Sequence, residues 1–326
     1  MFCRGKTQHG WAKAGWRRGA CAGLLAAALW LPSSGADAAG LTQIRAADIP
    51  VATWLPVWVA QDEGVFAKHG LSVSLTRVQN VSLLPGMVGK QLDVAPATAT
   101  DMLNAAGGGL DVVAVAGETI ELSSNQSVQL MVRPDGKINS AKDLDGKRIA
   151  TPSIGAVMNV ATLHWMKIHG GNPDSVTAVE VPFPNMMDQL KAGRVDAVEA
   201  LQSFVGQMRG AGFKSLGDPL LSIGDPVLFP FWVAGGEWAR AHRPVIGQWI
   251  ASLEDAAGLI KTNEKEARSI LAKYTHLPAP VAAKIPLPHY QFTITPQQLE
   301  VWLKVIQEQG RLKSGLDVNK LVVTAN

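Results

Sequence analysis

The chain has 326 residues, 47% of them hydrophobic and 17% charged, so it can bury a large core, and its length suits two globular units better than one. Its formal charge of +3 belongs to the amino terminus: residues 1–38 hold five basic residues and one acid, leaving 25 Lys and Arg against 26 Asp and Glu in the remainder. Those remaining cations are scattered singly among acids, which excludes the basic footprint of a nucleic-acid binder.

Arg4, Lys6, Lys13, Arg17 and Arg18 form a basic leading region, Ala20 to Leu31 a short apolar run, and Ala36-Asp37-Ala38 a small-x-small cleavage site. The apolar run of about a dozen residues falls short of the ~20 needed to span a bilayer, so the segment reads as an export signal cleaved near Ala38. Cys3 and Cys21 both lie inside it, and the mature chain then has no thiol for a disulfide, a metal site or nucleophilic catalysis. Arg18-Gly19-Ala20-Cys21 lacks the aliphatic residue that a lipoprotein signal carries three places before its Cys, which favours a freely soluble periplasmic protein. Arg17-Arg18 reads as ordinary leader charge rather than a twin-arginine signal.

Gln43 to Ala47 is a short strand, followed by the loop DIPVATW and a helix from Pro56 to Ala67 with proline in its first turn. LSVSLTRV alternates with the period of a strand. VSLLPGMVGKQ reads as a helix started or interrupted by Pro85, LDVAPA as a strand, TATDMLNAAGGG as a helix stopped by glycines, and LDVVAVAG as a buried strand. This β-α-β-α-β-α-β order predicts a parallel sheet covered by helices on both faces. Gln129 to Val132 is a further strand, and Pro134-Asp135-Gly136 turns into a second lobe. There DLDGKRIATPSIGA gives a turn, a strand and a Ser/Gly turn opening a helix, VTAVEVPFPN a strand and loop, and MMDQLKAGRVDAVEALQSF a helix, a glycine turn and a third strand. The lobe closes near Pro226, Leu228 to Ala234 forms a second crossing, and helices follow over Arg243 to Thr262, Glu264 to Tyr274 and Pro296 to Gln309, the last capped by Thr295. The expected organisation is a leader over 1–38, lobe one over 39–131 and 230–326, and lobe two over 132–229, joined by two crossings rather than a tether.

No chemistry of catalysis stands out. His69, His164, His169, His242, His276 and His289 are spread without metal-ligand spacing, and no Ser-His-Asp ordering, phosphate loop or catalytic carboxylate pair emerges. The expectation is a protein without metal, cofactor or catalytic residues.

VWVAQDEGVFAKHGLSVSL, QLDVAPATATDML, DLDGKRIATPSIGA, DQLKAGRVDAVEALQSF, EARSILAKYTHLPAPVAAK and ITPQQLEVWLKVIQEQGRLKSGLDVNKLV, taken in order, carry a resemblance across nearly the whole mature chain. The chain resembles the periplasmic substrate-binding proteins of ABC importers, in the family that takes up nitrate, sulfonates, taurine and thiamine-type pyrimidines. That resemblance implies a two-lobed α/β binding-protein fold of type II, with the carboxyl-terminal helices returning to lobe one and a ligand held in the cleft between lobes. It also implies a membrane permease as partner and a monomeric binding protein.

In open parallel sheets ligands sit beyond the carboxyl ends of the strands. The loops there offer Trp54, Gln79, Asn80, Thr98, Ala99, Thr100 and Glu118 from lobe one, and Ser153, Gly155, Ala156, Phe183, Asn185 and Gln202 from lobe two. Thr98 and Thr100 either cap the following helix or turn toward a ligand, and with Ala99 they match the place where the family puts a ligand-binding turn. Gly155 permits close backbone approach, and a helix amino end beside Ser153 and Ala156 favours negative charge by roughly 0.3 to 2 kcal/mol. Trp54 is placed to stack on a ligand, whereas Trp58, Trp165, Trp249 and Trp302 default to packing and Trp232 borders the cleft. Gln202 stands where family members show a Trp-Glu-Pro-like run, so the cleft loses a negative charge unless that residue faces away. Glu118 repels an anion unless it pairs with a cation or binds a ligand amine, or it is simply exposed.

The resemblance favours capture of a small organic anion by hinge closure. Trp54 and Phe183 point to an organic solute over nitrate, and DIPVATWLPV departs from the opening of the pyrimidine-binding branch. The alternatives are a cleft enzyme of the thiamine-pyrimidine synthesis type, which needs a reactive Lys or His in the cleft, and a periplasmic sensing module.

Overall fold

The computed structural model describes residues 40–78, 81–312 and 315–325. The expected export leader with both cysteines, and the candidate pair Gln79 and Asn80, lie outside the described residues. Lobe one begins with β1 (Thr42–Asp48), α1 (Leu55–Asp62), α2 (Val65–Lys68), β2 (Leu71–Arg77), β3 (Val94–Ala97), α3 (Ala99–Gly107) and β4 (Val112–Gly117). A crossing strand, β5 (Thr119–Glu121), leads to lobe two, which holds β6 (Val128–Val132), β7 (Arg148–Thr151), α4 (Val157–Ile168), β8 (Thr177–Glu180), α5 (Phe183–Lys191), β9 (Ala197–Leu201), α6 (Gln202–Gly210) and β10 (Lys214–Ser215). The chain returns through β11 (Val227–Leu228) and β12 (Phe231–Gly235). It ends with α7 (Gly236–Ala241), α8 (Arg243–Thr262), α9 (Glu264–Thr275), α10 (Ala279–Ala282), β13 (His289–Tyr290) and α11 (Pro296–Glu308).

The expected helix from Pro56 to Ala67 is two helices, because Gly64 takes φ 66° between α1 and α2, a left-handed turn that favours glycine. VSLLPGMVGKQ forms only a 3-10 turn over Val81–Gly86, with Pro85 inside it and too little length to propagate a helix. The larger correction concerns the first sheet, whose order is β2-β1-β3-β12-β4. β1 pairs parallel with β2 and β3, while β12 runs antiparallel between β3 and β4, Phe231 opposite Ala97 on one side and Gly117 on the other. The returning crossing therefore enters the middle of the sheet and makes it mixed. The second sheet, ordered β10-β6-β9-β7-β8, is parallel only across β8, β7 and β9. A small sheet, β11-β5-β13, gathers both crossings and the carboxyl-terminal segment. Gly117 makes that possible, since a Cβ there would lie 2.2 Å from the Gln291 carbonyl oxygen.

An aromatic stack holds lobe one. Trp232 of β12 packs edge-on against both Trp54 and Trp249 of α8, with centroids 4.9 Å apart in each pair, and Trp249 stacks on Phe66 of α2 at 5.2 Å. Asp48, at the end of β1, accepts from Trp58 Nε1 and Arg77 Nη2, each at 2.8 Å, and Trp58 stacks on Tyr274 of α9 at 5.1 Å. Helices α8, α9 and α11 fall within one residue of their expected bounds, and α11 carries a capping box between Thr295 and Gln298. Among the described residues no helix is long and apolar enough to cross a membrane.

On one side of the hinge the lobes share a buried apolar core. Met102 and Leu103 of α3, Val157, Met158, Val160 and Ala161 of α4, and Trp302, Leu303 and Ile306 of α11 belong to it. Gln309 Nε2 donates to the Val160 carbonyl at 2.8 Å across the same seam.

Glu199 of β9 is 0% exposed, and neither carboxyl oxygen has a hydrogen-bond partner in well-formed geometry. Burial pushes its pKa up to about 7, with Thr151 and Thr162 pulling it part of the way back. A carboxyl raised in the folded state stabilises most below its ordinary range and loses that contribution as pH rises toward the folded value. Stability should therefore fall between about pH 4.5 and 7 by up to about 3 kcal/mol, and Glu199→Gln should flatten that slope in urea titrations run across the range. Removing the central ring of the stack by Trp232→Ala should cost about 3 to 5 kcal/mol in the same assay.

Candidate ligand-binding cleft

A cleft of about 1010 Å³ opens between the lobes. Its walls are the loop after β1 (Pro50 to Thr53), the crossing segment with Thr119, Ile120, Glu121, Asn125 and Ser127, the start of α6 from Leu201 to Gln207 with Arg209, and the segment from Leu271 to His289. The last wall is mostly aliphatic and proline-rich, with Leu277, Pro280, Val281, Ile285, Pro286 and Pro288, so an apolar body can lie against it. Cations are present in Arg209 and Lys284, and His289 lies beside them in the wall.

Hydrogen bonds tie these walls to one another. The Gln202 amide donates to the Ser127 carbonyl at 2.7 Å, fixing the amino end of α6 beside the crossing. Asn125 Nδ2 donates to the Leu287 carbonyl at 2.9 Å, and Tyr290 OH to the Ala52 carbonyl at 3.3 Å. Thr119 Oγ1 donates to the Phe229 carbonyl, joining the two crossings. Glu121 accepts from both the amide and the hydroxyl of Ser127.

Of the residues expected from the sequence, Gln202 lines this cleft. Trp54 does not: it is 2% exposed inside the aromatic stack, and its neighbour Thr53 stands in the wall instead. Glu118 is not exposed either, being fully buried with one carboxyl oxygen accepting from Trp232 Nε1 and the other unpartnered. Burial pushes its pKa well above the usual carboxylate range and the Trp232 bond opposes that, so the neutral acid is favoured and its repulsion of an anion falls away.

Thr98, Ala99 and Thr100 are buried at the start of α3, outside the cleft wall. Thr98 Oγ1 donates to Asp101 Oδ2 at 2.6 Å and lies 3.1 Å from Thr100 Oγ1, so both hydroxyls serve the helix end. The turn before α4 was expected to present free amides, and three are already occupied. Ile154 N–H donates to Glu180 Oε1 at 2.9 Å, Gly155 N–H to Asn159 Oδ1 at 3.0 Å, and Ala156 N–H to the Ser153 carbonyl at 3.2 Å. Gly155 does take the left-handed conformation, with φ 81°, and a Cβ there would lie 3.0 Å from Arg311 Nη1. Phe183 stands behind the wall, stacked on Phe204 at 6.1 Å, and Asn185 is exposed on α5.

The residues missed by sequence reasoning are Thr53, Glu121, Ser127, Phe204, Arg209, Lys284 and His289. Three of them carried a signal: Phe204 ends the run that contains Gln202, and Lys284 and His289 frame a proline-rich stretch too broken for a helix.

Residues 52–220 match the family described as NMT1/THI5 like. Among curated proteins the chain is similar to the bicarbonate transport ATP-binding protein CmpC of Synechocystis, 30% identical over 252 residues, which covers 70% of this chain and 37% of that protein. It is also similar to a putative ABC transporter periplasmic binding protein of Brachyspira hyodysenteriae, 25% identical over 180 residues, covering 51% and 49%. The chain thus spans less than half the length of these curated relatives. Among solved structures, the alkanesulfonate-binding protein SsuA of Xanthomonas axonopodis bound to MOPS aligns with TM-score 0.72 at 18% identity, covering 87% of this chain and 99% of that one. The periplasmic nitrate-binding protein NrtA of Synechocystis aligns with TM-score 0.70 at 12% identity, covering 86% of each. These likenesses show the two-lobed periplasmic binding protein fold, and the match over more than half of the sequence shows that the chain belongs to the NMT1/THI5-like family.

Proposed function

We propose that the protein is the extracytoplasmic solute-binding component of an ABC importer, a periplasmic monomer freed of its leader near Ala38. It captures a small organic anion by closing its lobes and delivers that solute to a membrane permease. The observation that carries this reading is the cleft itself. A space of about 1010 Å³ lies at the crossings between two lobes, with an aliphatic wall on one side and the amino end of α6 with Arg209 on the other. An apolar wall beside cations and a helix amino end suits an anion that has a carbon body better than a small inorganic one. The relatives support the same reading, since one is named a periplasmic binding protein and solved neighbours are named for sulfonate and nitrate binding.

Closure follows from contacts to both lobes, which favour the closed state by the difference in affinity between the two states. A micromolar grip needs about 8 kcal/mol, within reach of a few charge-assisted hydrogen bonds plus burial of an apolar body.

A thermal-shift screen of the purified protein against sulfonates, carboxylates, nitrate and pyrimidines should raise the unfolding midpoint most with organic anions. Against the best hit, Gln202→Ala should weaken calorimetric affinity about three- to tenfold, while Thr98→Ala should cost about 1 kcal/mol of stability and leave affinity unchanged. An affinity loss confined to the Thr98 variant would move the site to the start of α3.

A further inference from the structure

The cleft wall is backed by a pair of buried carboxyls, Glu121 and Asp218. Glu121 lines the cleft yet is 2% exposed, and its donors, the Ser127 amide and hydroxyl, are both neutral. Behind it, Asp218 is 5% exposed and lies in contact with the Glu121 carboxyl. Asp218 Oδ1 accepts from the Leu220 amide at 2.8 Å, while Oδ2 meets no protein donor. Two buried carboxyls in contact repel each other when both are ionised. Burial first, and then Glu121, push the Asp218 pKa upward, which makes Asp218 the protonated member.

Among the described residues no Lys, Arg or His forms an ion pair with either carboxyl. Arg209 donates to Gln129 Oε1 at 3.3 Å, and the Lys284 and His289 residues of the cleft are exposed. Keeping an uncompensated charge in a buried position is costly, and a solute that brings the opposite charge recovers that cost on binding.

We infer that Glu121 is a specificity-determining acceptor of the cleft, positioned by Asp218, and that the solute is an amino-substituted organic anion, its ammonium facing Glu121. This inference rests on the cleft's being the solute site. The anionic head group is then left to the amino end of α6 and the cations, and a solute with only an anionic group meets Glu121 without compensation. Because the ammonium replaces no protein counter-ion, the selectivity belongs to one side chain.

The test uses matched probes differing only in the amine: phenylalanine beside phenylpropionate, and taurine beside ethanesulfonate, each followed by thermal unfolding and calorimetry of the full chain. The amino member of at least one pair should bind tenfold or more tightly than its partner, about 1.4 kcal/mol. Glu121→Gln should bring the two members of that pair within threefold. Asp218→Ala should lower the preference and Asp218→Asn restore it, since the amide donates to Glu121 as the protonated acid does. If a variant does not fold, the comparison within the native protein still decides. Equal binding of both members of each pair, or stabilisation only by amine-free solutes from the wider screen, overturns the inference and leaves the solute-binding reading standing. No shift with any probe or any solute of that screen overturns both.

Discussion

The rest of the structure depends on the apolar seam where α3, α4 and α11 meet. Its members are large and fully or nearly fully buried, Met102, Leu103, Met158, Trp302 and Ile306 among them, and each such side chain stabilises the contact by roughly 1.5 to 3 kcal/mol. The bonds that cross the cleft wall are single hydrogen bonds, worth about 1 kcal/mol each. One side of the hinge is therefore sealed far more strongly than the other. Packed interiors do not deform continuously, so the seam resists displacement of the lobes more than the cleft wall does.

The seam also explains why the two helix ends that looked most like ligand sites are otherwise engaged. The turns opening α3 and α4 lie on the sealed side, where a free amide or hydroxyl would be costly. Their polar groups are satisfied locally, by Asp101 for Thr98 and by Glu180, Asn159 and Ser153 for the turn before α4. Electrostatics separates the buried acids in the same way. Burial favours the neutral form of Glu118, which has a donor in Trp232, and raises Glu199 among threonine hydroxyls. The Glu121 and Asp218 carboxyls are also buried, and of these acids Glu121 lines the cleft.

Long helices were legible because periodicity and caps accumulate over many residues: α8 and α11 begin at Arg243 and Pro296 as expected, and Thr295 caps as its position implies. The antiparallel strand was not legible, because β12 pairs with β3 and β4, segments more than a hundred residues earlier, and nothing local to Phe231–Gly235 states its direction. Trp54 shows the limit at finer scale. The loop was located correctly, but a 3-10 turn over Ala52–Trp54 directs the indole into the stack and leaves Thr53 in the wall. Gln202 was legible because a strand end that opens a helix has a single outlet, beyond the sheet. The wall from Leu271 to His289 was not, because its role comes from tertiary placement of short, irregular pieces.

That wall is held firmly to lobe one. Arg268 of α9 donates from Nη1 to the Ala282 carbonyl at 2.8 Å and the Ile285 carbonyl at 2.9 Å, with Glu264 paired to its Nη2 at 2.7 Å. At its far end Tyr290 OH donates to the Ala52 carbonyl, and the Leu287 carbonyl accepts from Asn125 of the crossing segment. The opposing wall, the start of α6, belongs to lobe two and is hydrogen-bonded to the crossing at Ser127. Under the proposed function, a solute between them rests its carbon body on the apolar wall and its charge at the amino end of α6. Narrowing the gap would then shorten the electrostatic contact more than the apolar one, so the charged group of the solute, more than its bulk, would favour the closed state.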